Sequence, residues 1–209
     1  ELRFKDDNGK DYPDWEEKSF LDVFESIPTK KYQILSSEVK EIGCYEVVDQ
    51  GQEDISGYSD NKEKLFKNVP IIIYGDHTTV VKYRENPFII GADGVKLLIP
   101  KISNLDLQYI YYALVFRNIS PEGYKRHFSI LKEINLPYPS LKEQIKISNF
   151  FSKIDERIEV QEEKINNLEK LKKGYMQKIF NQEIRFKDDN GDDYPDWEEK
   201  KLGNILKET

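Results

Sequence analysis

From Leu141 to Phe180 the chain runs forty residues without a proline and with one glycine, Gly174. Such a stretch predicts a single α-helix about 60 Å long at 1.5 Å per residue. Pro137 and Pro139 precede it, and Ser140 with Glu143 three residues on has the form of a capping box. Apolar residues recur at alternating spacings of three and four: Ile147, Phe151, Ile154, Ile158, Ile165, Leu168, Tyr175 and Ile179. Gln161 and Lys172 occupy the same stripe, which is therefore a heptad seam with two polar interruptions. Lys153, Asp155, Glu156, Arg157, Glu159, Glu162, Glu163 and Lys164 surround it with charges of both signs. A lone helix would leave this stripe in water. The seam residues Phe151, Ile154, Ile158, Gln161, Ile165, Leu168, Tyr175 and Ile179 are thus expected to face a second such helix. A helix folded back on its own domain is the alternative, which the length and regularity disfavour.

The chain also repeats itself. Residues 1–18 read ELRFKDDNGKDYPDWEEK and residues 183–200 read EIRFKDDNGDDYPDWEEK. Only Leu2/Ile184 and Lys10/Asp192 differ, at an offset of 182 residues. Two modules of that length were joined head to tail, and this chain carries one module and the start of another. Asp-Asn-Gly and Tyr-Pro-Asp are turn signals, and Trp15 and Trp197 can each anchor the segment to a core. Pro13-Asp14 ahead of Glu16-Glu17-Lys18 is too compressed for a nuclease site, whose carboxylates stand on separate strands.

Charge is unevenly spread. Residues 1–18 hold seven acids and four bases, and residues 183–209 hold nine acids and five bases, so the ends carry the whole net charge of −7. Residues 71–132 hold eight Lys/Arg against five Asp/Glu, a mild basic bias. One cysteine, Cys44, excludes an intrachain disulfide and suits a reducing cytoplasm. No apolar run approaches the ~18 residues of a membrane span. The N-terminus does not read as a signal peptide, and the missing initiator Met suggests a fragment or a processed chain.

Residues 19–138 read as mixed α/β. Strands are predicted at Ile71–Ile73, Thr79–Tyr83, Phe88–Ile90, Val95–Ile99 and Glu133–Leu136, with turns at Glu85–Pro87 and Gly91–Gly94. An amphipathic helix starting near Asn104 runs through Leu107, Ile110, Tyr111, Leu114 and Val115, and Ser120–Gly123 ends it. Residues 30–68 are polar and read as loops and short elements. The overall class is α+β: a mixed domain over residues 1–138, a long helix over 139–182, and the start of a repeated domain over 183–209.

Two loops have the side chains for recognition. In the first, Gly75 permits a sharp turn, and Asp76, His77, Thr78 and Thr79 supply polar groups that reach base edges or phosphates. Lys82, Tyr83 and Arg84 follow. The second is Tyr124 with Lys125, Arg126 and His127. Either can equally be an ordinary polar turn. No P-loop, GxGxxG or adenine-methyltransferase Asn/Asp-Pro-Pro-Tyr/Phe motif is present; Asn135-Leu136-Pro137-Tyr138 and Glu85-Asn86-Pro87-Phe88 do not match. Asp76 and His77 alone are a weak metal signal.

The string Leu136-Pro137-Tyr138-Pro139-Ser140-Leu141-Lys142-Glu143-Gln144-Ile145 and its continuation through Ile154, Ile158, Leu168, Leu171 and Ile179 resemble the segment linking recognition domains in specificity subunits of type I restriction–modification enzymes. Trp15-Glu16 to Phe20 and Trp197-Glu198 to Leu202 resemble the openings of those domains, and Gly75–Tyr83 and Gly91–Lys96 also look familiar there. The resemblance implies a non-catalytic subunit that reads double-stranded DNA in the cytoplasm and docks modification and restriction subunits. It implies no cofactor on this chain, with S-adenosylmethionine, ATP and Mg on partner subunits. Full subunits carry two recognition domains spaced by antiparallel helices. This chain resembles one half, and two copies could rebuild the shape as a homodimer with an antiparallel coiled coil. The rival readings are a coiled-coil protein-interaction module without DNA specificity, and a hydrolase built on Asp76 and His77.

Overall fold

The computed structural model describes residues 3–123 and 125–205, with side chains through Gly203. In chain order the elements are β1 (Glu16–Ser19), α1 (Phe20–Val23), β2 (Phe24–Ile27), β3 (Tyr45–Val48), β4 (Gly57–Ser59), β5 (Ile71–Gly75), β6 (Val81–Arg84), β7 (Ile89–Ile90) and β8 (Val95–Pro100). Then come α2 (Leu107–Phe116), α3 (Phe128–Leu131), β9 (Asn135–Tyr138), α4 (Leu141–Phe180) and α5 (Leu202–Ile205). A first compact unit ends at Ile154 and a second begins at Asp155.

The first unit is built on a four-stranded sheet in the order β2-β8-β5-β6, each neighbouring pair antiparallel. Strand side chains alternate between faces, and β5 is buried on both. Ile71 and Ile73 join Val95, Leu97, Val48, Phe66, Phe88 and Ile90 on one side. Ile72 and Tyr74 join Leu98, Phe20, Phe24, Ile110 and Leu114 on the other. The first side is covered by a small sheet, β4-β3-β7, in which β3 and β7 run parallel. The second is covered by α1 and α2. This is the expected α+β head.

Several boundaries differ from the sequence reading, each for a local reason. Residue 79 is not yet strand: Thr79 has φ 60° and its N–H bonds Gly75 O at 2.8 Å, so the turn continues to Val80. The strand expected from Glu133 begins at Asn135, because the N–H groups of Glu133 and Ile134 still close α3 onto Ile130 and Leu131. Pro137 is tolerated because β9 pairs with β1 alone in a two-stranded ribbon. Helix α2 starts at Leu107 rather than Asn104, since the carboxylate that reaches a free helix N–H is that of Asp106, accepting from Tyr109 N at 2.7 Å.

Residues 30–68 hold three short 3₁₀ turns besides β3 and β4. Lys40 pairs with Asp60 at 2.8 Å, and Cys44 N–H donates to the same carboxylate at 3.0 Å. Lys40 first, then the Cys44 amide, draw the Asp60 pKa down to about 2 from 3.8. A lowered carboxylate pKa stabilises the fold above its unfolded value, and that contribution is lost as pH falls from 3.8 through about 2. An NMR titration should place the Asp60 midpoint near 2 in the wild type. In Lys40→Ala it should move up toward the ordinary carboxylate range.

The long helix begins and ends as expected, but its start is held differently. Glu143 is fully buried and meets Arg3 Nε at 3.2 Å instead of closing a capping box. Among the described residues Ser140 Oγ has no hydrogen-bond partner. Gln144, also buried, accepts from Asp106 N at 2.9 Å and donates to Pro139 O at 2.8 Å. The Glu-Gln pair thus fastens α4 to residue 3 and to the start of α2. Phe151 packs against Tyr112 of α2 with ring centroids 5.2 Å apart and planes tilted by 43°, so the first end of the seam is partly used within the head.

In the second unit α4 continues with its apolar side chains in solvent. Ile158, Ile165, Leu168 and Tyr175 are each more than half exposed. Val160 and Leu171 widen the apolar face. Residues 185–196 then form a small hairpin, with Lys187 bridged to Asp193 and Phe180 against Trp197 at 6.1 Å. Among the described residues no helix is long and apolar enough to cross a membrane.

Candidate nucleic-acid interface

Three segments far apart in sequence meet at one end of the central sheet: the β5–β6 turn, the β7–β8 turn and the residues leading into α3. Together with Thr29, from the stretch after β2, they line a cleft of about 610 Å³ with Asp76, His77, Asp93, Gly94, Lys96 and Arg126. Sequence reading had placed His77 and Arg126 on separate loops; the fold brings both to this cleft.

The β5–β6 turn is heavily braced. Thr78 Oγ1 donates to Gln50 O at 2.5 Å, His77 N donates to Gln50 Oε1 at 3.1 Å, and Gln50 Nε2 donates to Asp93 O at 3.0 Å. Asn118 Nδ2 donates to Thr79 O at 2.6 Å. Glycine is required at position 75 by close approach: a Cβ there would lie 2.3 Å from Thr78 Oγ1 and 2.9 Å from Gln50 Cβ. At Gly94 the demand is twofold, with φ +82° and the Gln50 side chain 2.7 Å from a Cβ.

Asp76 is buried and ties the other two segments together. Its N–H bonds Gly94 O at 2.7 Å, its carboxylate accepts from Phe128 N at 2.9 Å, and Lys96 Nζ stands 3.5 Å away. Its carbonyl accepts from His127 N at 2.8 Å. His127, fully buried, accepts from Glu122 N through Nε2 at 2.9 Å, which leaves Nδ1 to donate to Asp76 O at 3.1 Å. A neutral imidazole thus clamps the second loop to the first.

The structure therefore divides the residues singled out from sequence. Lys125 and Arg126 are exposed, and His77, Thr78 and Tyr83 are partly so. Lys125 is paired with Glu122, and Tyr83 packs on Tyr111 at 5.7 Å. Tyr124 lies outside the described residues. Gly75, Asp76, Thr79 and His127 are buried braces. Lys82 and Arg84 correct the sequence reading, for both are buried and engaged within the chain. Lys82 Nζ donates to Asp49 O at 2.9 Å and Glu53 O at 2.6 Å, and burial lowers its pKa. Arg84 binds Glu46 and Asp54. Alternation puts both cations on the β6 face covered by the 46–54 segment, so they hold that segment rather than a ligand.

Gln50 was missed entirely. It sits in the polar stretch that gave no periodic signal, and nothing local in the sequence links it to residues 77 and 93. Chemically, the cleft offers an imidazole, a guanidinium, an ammonium and carboxylates on a braced frame. These are donors and acceptors for base edges and phosphate oxygens. Among the described residues no group of three or more His, Cys, Asp or Glu is placed to hold a metal.

Residues 12–170 match the family described as the type I restriction modification DNA specificity domain. The chain is 28% identical over 248 aligned residues to the type I restriction enzyme MjaIX specificity subunit of Methanocaldococcus jannaschii, covering 99% of this chain and 55% of that protein. It is 30% identical over 181 residues to a putative type I specificity subunit of Mycoplasma genitalium, covering 82% and 46%. The crystal structure of a type I restriction–modification S subunit from M. genitalium superposes with a TM-score of 0.66 at 23% identity, over 87% of this chain and 48% of that one. The last likeness is one of fold. The chain spans about half the length of the curated relatives it matches.

Proposed function

This chain belongs to the type I restriction–modification DNA specificity family, and from that premise we propose that it reads one half of a bipartite DNA target for an enzyme whose chemistry resides on other subunits. The observation that carries this reading is the family match over residues 12–170, which takes in head and helix together. The cleft supports it. His77, Thr78, Tyr83, Lys125 and Arg126 are the groups proposed to face DNA, with Gly75, Asp76, Thr79, Lys82, Arg84 and His127 holding them in place.

In this reading residues 1–138 are the recognition domain, 139–182 the spacer helix and 183–209 the start of a second domain. The exposed seam of α4 pairs antiparallel with the same helix of a second copy, and two heads then meet an inverted repeat with an unread gap. Modification and restriction subunits dock on this frame in the cytoplasm, bringing S-adenosylmethionine, ATP and Mg. The acidic balance is tolerable because the excess lies in the repeated ends, away from the cleft residues in sequence, and partner subunits add phosphate contacts. The test is to map methylated adenines in a host expressing the chain with its matching modification subunit. A two-part motif with a fixed gap is expected; a host genome without any chain-dependent motif would overturn the reading.

A further inference from the structure

Asp76 and Asp93 both line the cleft, and they are held in different ways. Asp76 is buried with Lys96 Nζ at 3.5 Å, whereas Asp93 is exposed and among the described residues has no ion-pair partner. An aspartate in a turn such as Gly91–Gly94 ordinarily bonds the turn's own N–H groups. Here Oδ1 accepts instead from Gln33 Nε2 at 2.9 Å, 60 residues away in the chain.

Gln33 is itself fixed. It bridges to Ile90 in parallel register, and the buried Ile34 beside it donates its N–H to Ile90 O at 2.9 Å. From the other side Gln50 Nε2 donates to the Asp93 carbonyl at 3.0 Å. An exposed turn residue is thus held at its backbone and at one carboxylate oxygen, with Oδ2 unpartnered among the described residues. A group ordered in advance loses less entropy on contact.

A carboxylate set against the phosphates of a duplex is unfavourable unless it accepts a hydrogen bond there. In the major groove the donors it can meet are exocyclic amino groups, N4 of cytosine and N6 of adenine. Arg126, on the same cleft, has the opposite sense and can only donate.

We propose that Asp93 is a specificity-determining residue that accepts from one exocyclic amino group of the half-site. The assignment rests on the DNA reading of the cleft. Its signature is a divergence of sign: the contact favours the cognate sequence, while the charge disfavours every other duplex.

The test compares the assembled enzyme carrying wild-type chain or Asp93→Ala on cognate and nonspecific duplexes. Cognate affinity should fall about tenfold, and nonspecific affinity should rise a few-fold. Single amino groups are then deleted from the cognate duplex, purine replacing adenine and pyrimidin-2-one replacing cytosine, one position at a time. One deletion should cost the wild type about tenfold and cost Asp93→Ala nothing further, and the replacement that does so identifies the base. A parallel fall on both duplexes would make Asp93 a structural brace, and a rise on both a repulsive charge alone. Either result, or deletions that cost both proteins alike, would overturn the assignment. The double variant His77→Ala, Arg126→Ala, run beside it, separates the failures. If it loses cognate affinity, the DNA reading stands without Asp93; if it binds like wild type, the cleft lies off the DNA and both readings fall.

Discussion

Replacing His77 and Arg126 together by alanine is expected to lower the affinity of the assembled enzyme for its cognate DNA about a hundredfold, while the head keeps its fold. Each is a partly or fully exposed polar group on a cleft wall, and a good base-edge contact is worth about 1–3 kcal/mol. The β5–β6 turn is held through the His77 backbone N–H, and the second loop through His127. Circular dichroism and melting curves near wild type would assign the loss to the contact rather than to the fold. The informative comparison is with nonspecific DNA. If Arg126 reads a base, the loss is confined to the cognate sequence; if it meets a phosphate, both affinities fall and the salt dependence is reduced by about one ion. Unchanged cognate binding by the double variant would remove this cleft from the interface.

On the proposed pairing of two copies along α4, Ile158→Asp is expected to leave the chain monomeric at micromolar concentration in analytical ultracentrifugation where the wild type is dimeric. In the single chain Ile158 is 51% exposed, so the substitution costs the isolated fold little. In a paired seam the new carboxylate would lie against Ile, Leu and Tyr of the partner helix, and an unpaired buried charge costs several kcal/mol. The position lies beyond the segment that packs into the head, which separates helix pairing from head stability. A dimer that survives the substitution would place self-association elsewhere.

How much of this was legible in the sequence follows from how local each signal is. Ile71-Ile72-Ile73 announces a strand buried on both faces, and forty proline-free residues with a heptad stripe announce α4 almost to the residue. The helix start was legible in position and misread in mechanism. Glu143 is drawn to Arg3, 140 residues away, and no capping rule contains that partner. Lys82 and Arg84 were misassigned for a similar reason. They stand at alternate positions on a strand, which fixes that they share a face but not what covers it. The cover is the 46–54 segment, whose polar sequence gave no element. The cleft was half legible: His77 and Arg126 stand out as chemistry, but their meeting depends on Asp76, Gln50 and His127 joining three loops through backbone groups that every residue possesses.

The central claim is that a helical strut of fixed length separates two reading heads, and inserting one heptad in the exposed part of α4 tests it most directly. Seven helical residues preserve the seam and add about 10 Å. With 3.4 Å per base pair, that is roughly three base pairs. Methylation mapping should show both half-sites unchanged and the gap between them longer by about that amount. An unaltered gap, or new half-sites at the old spacing, would contradict the account.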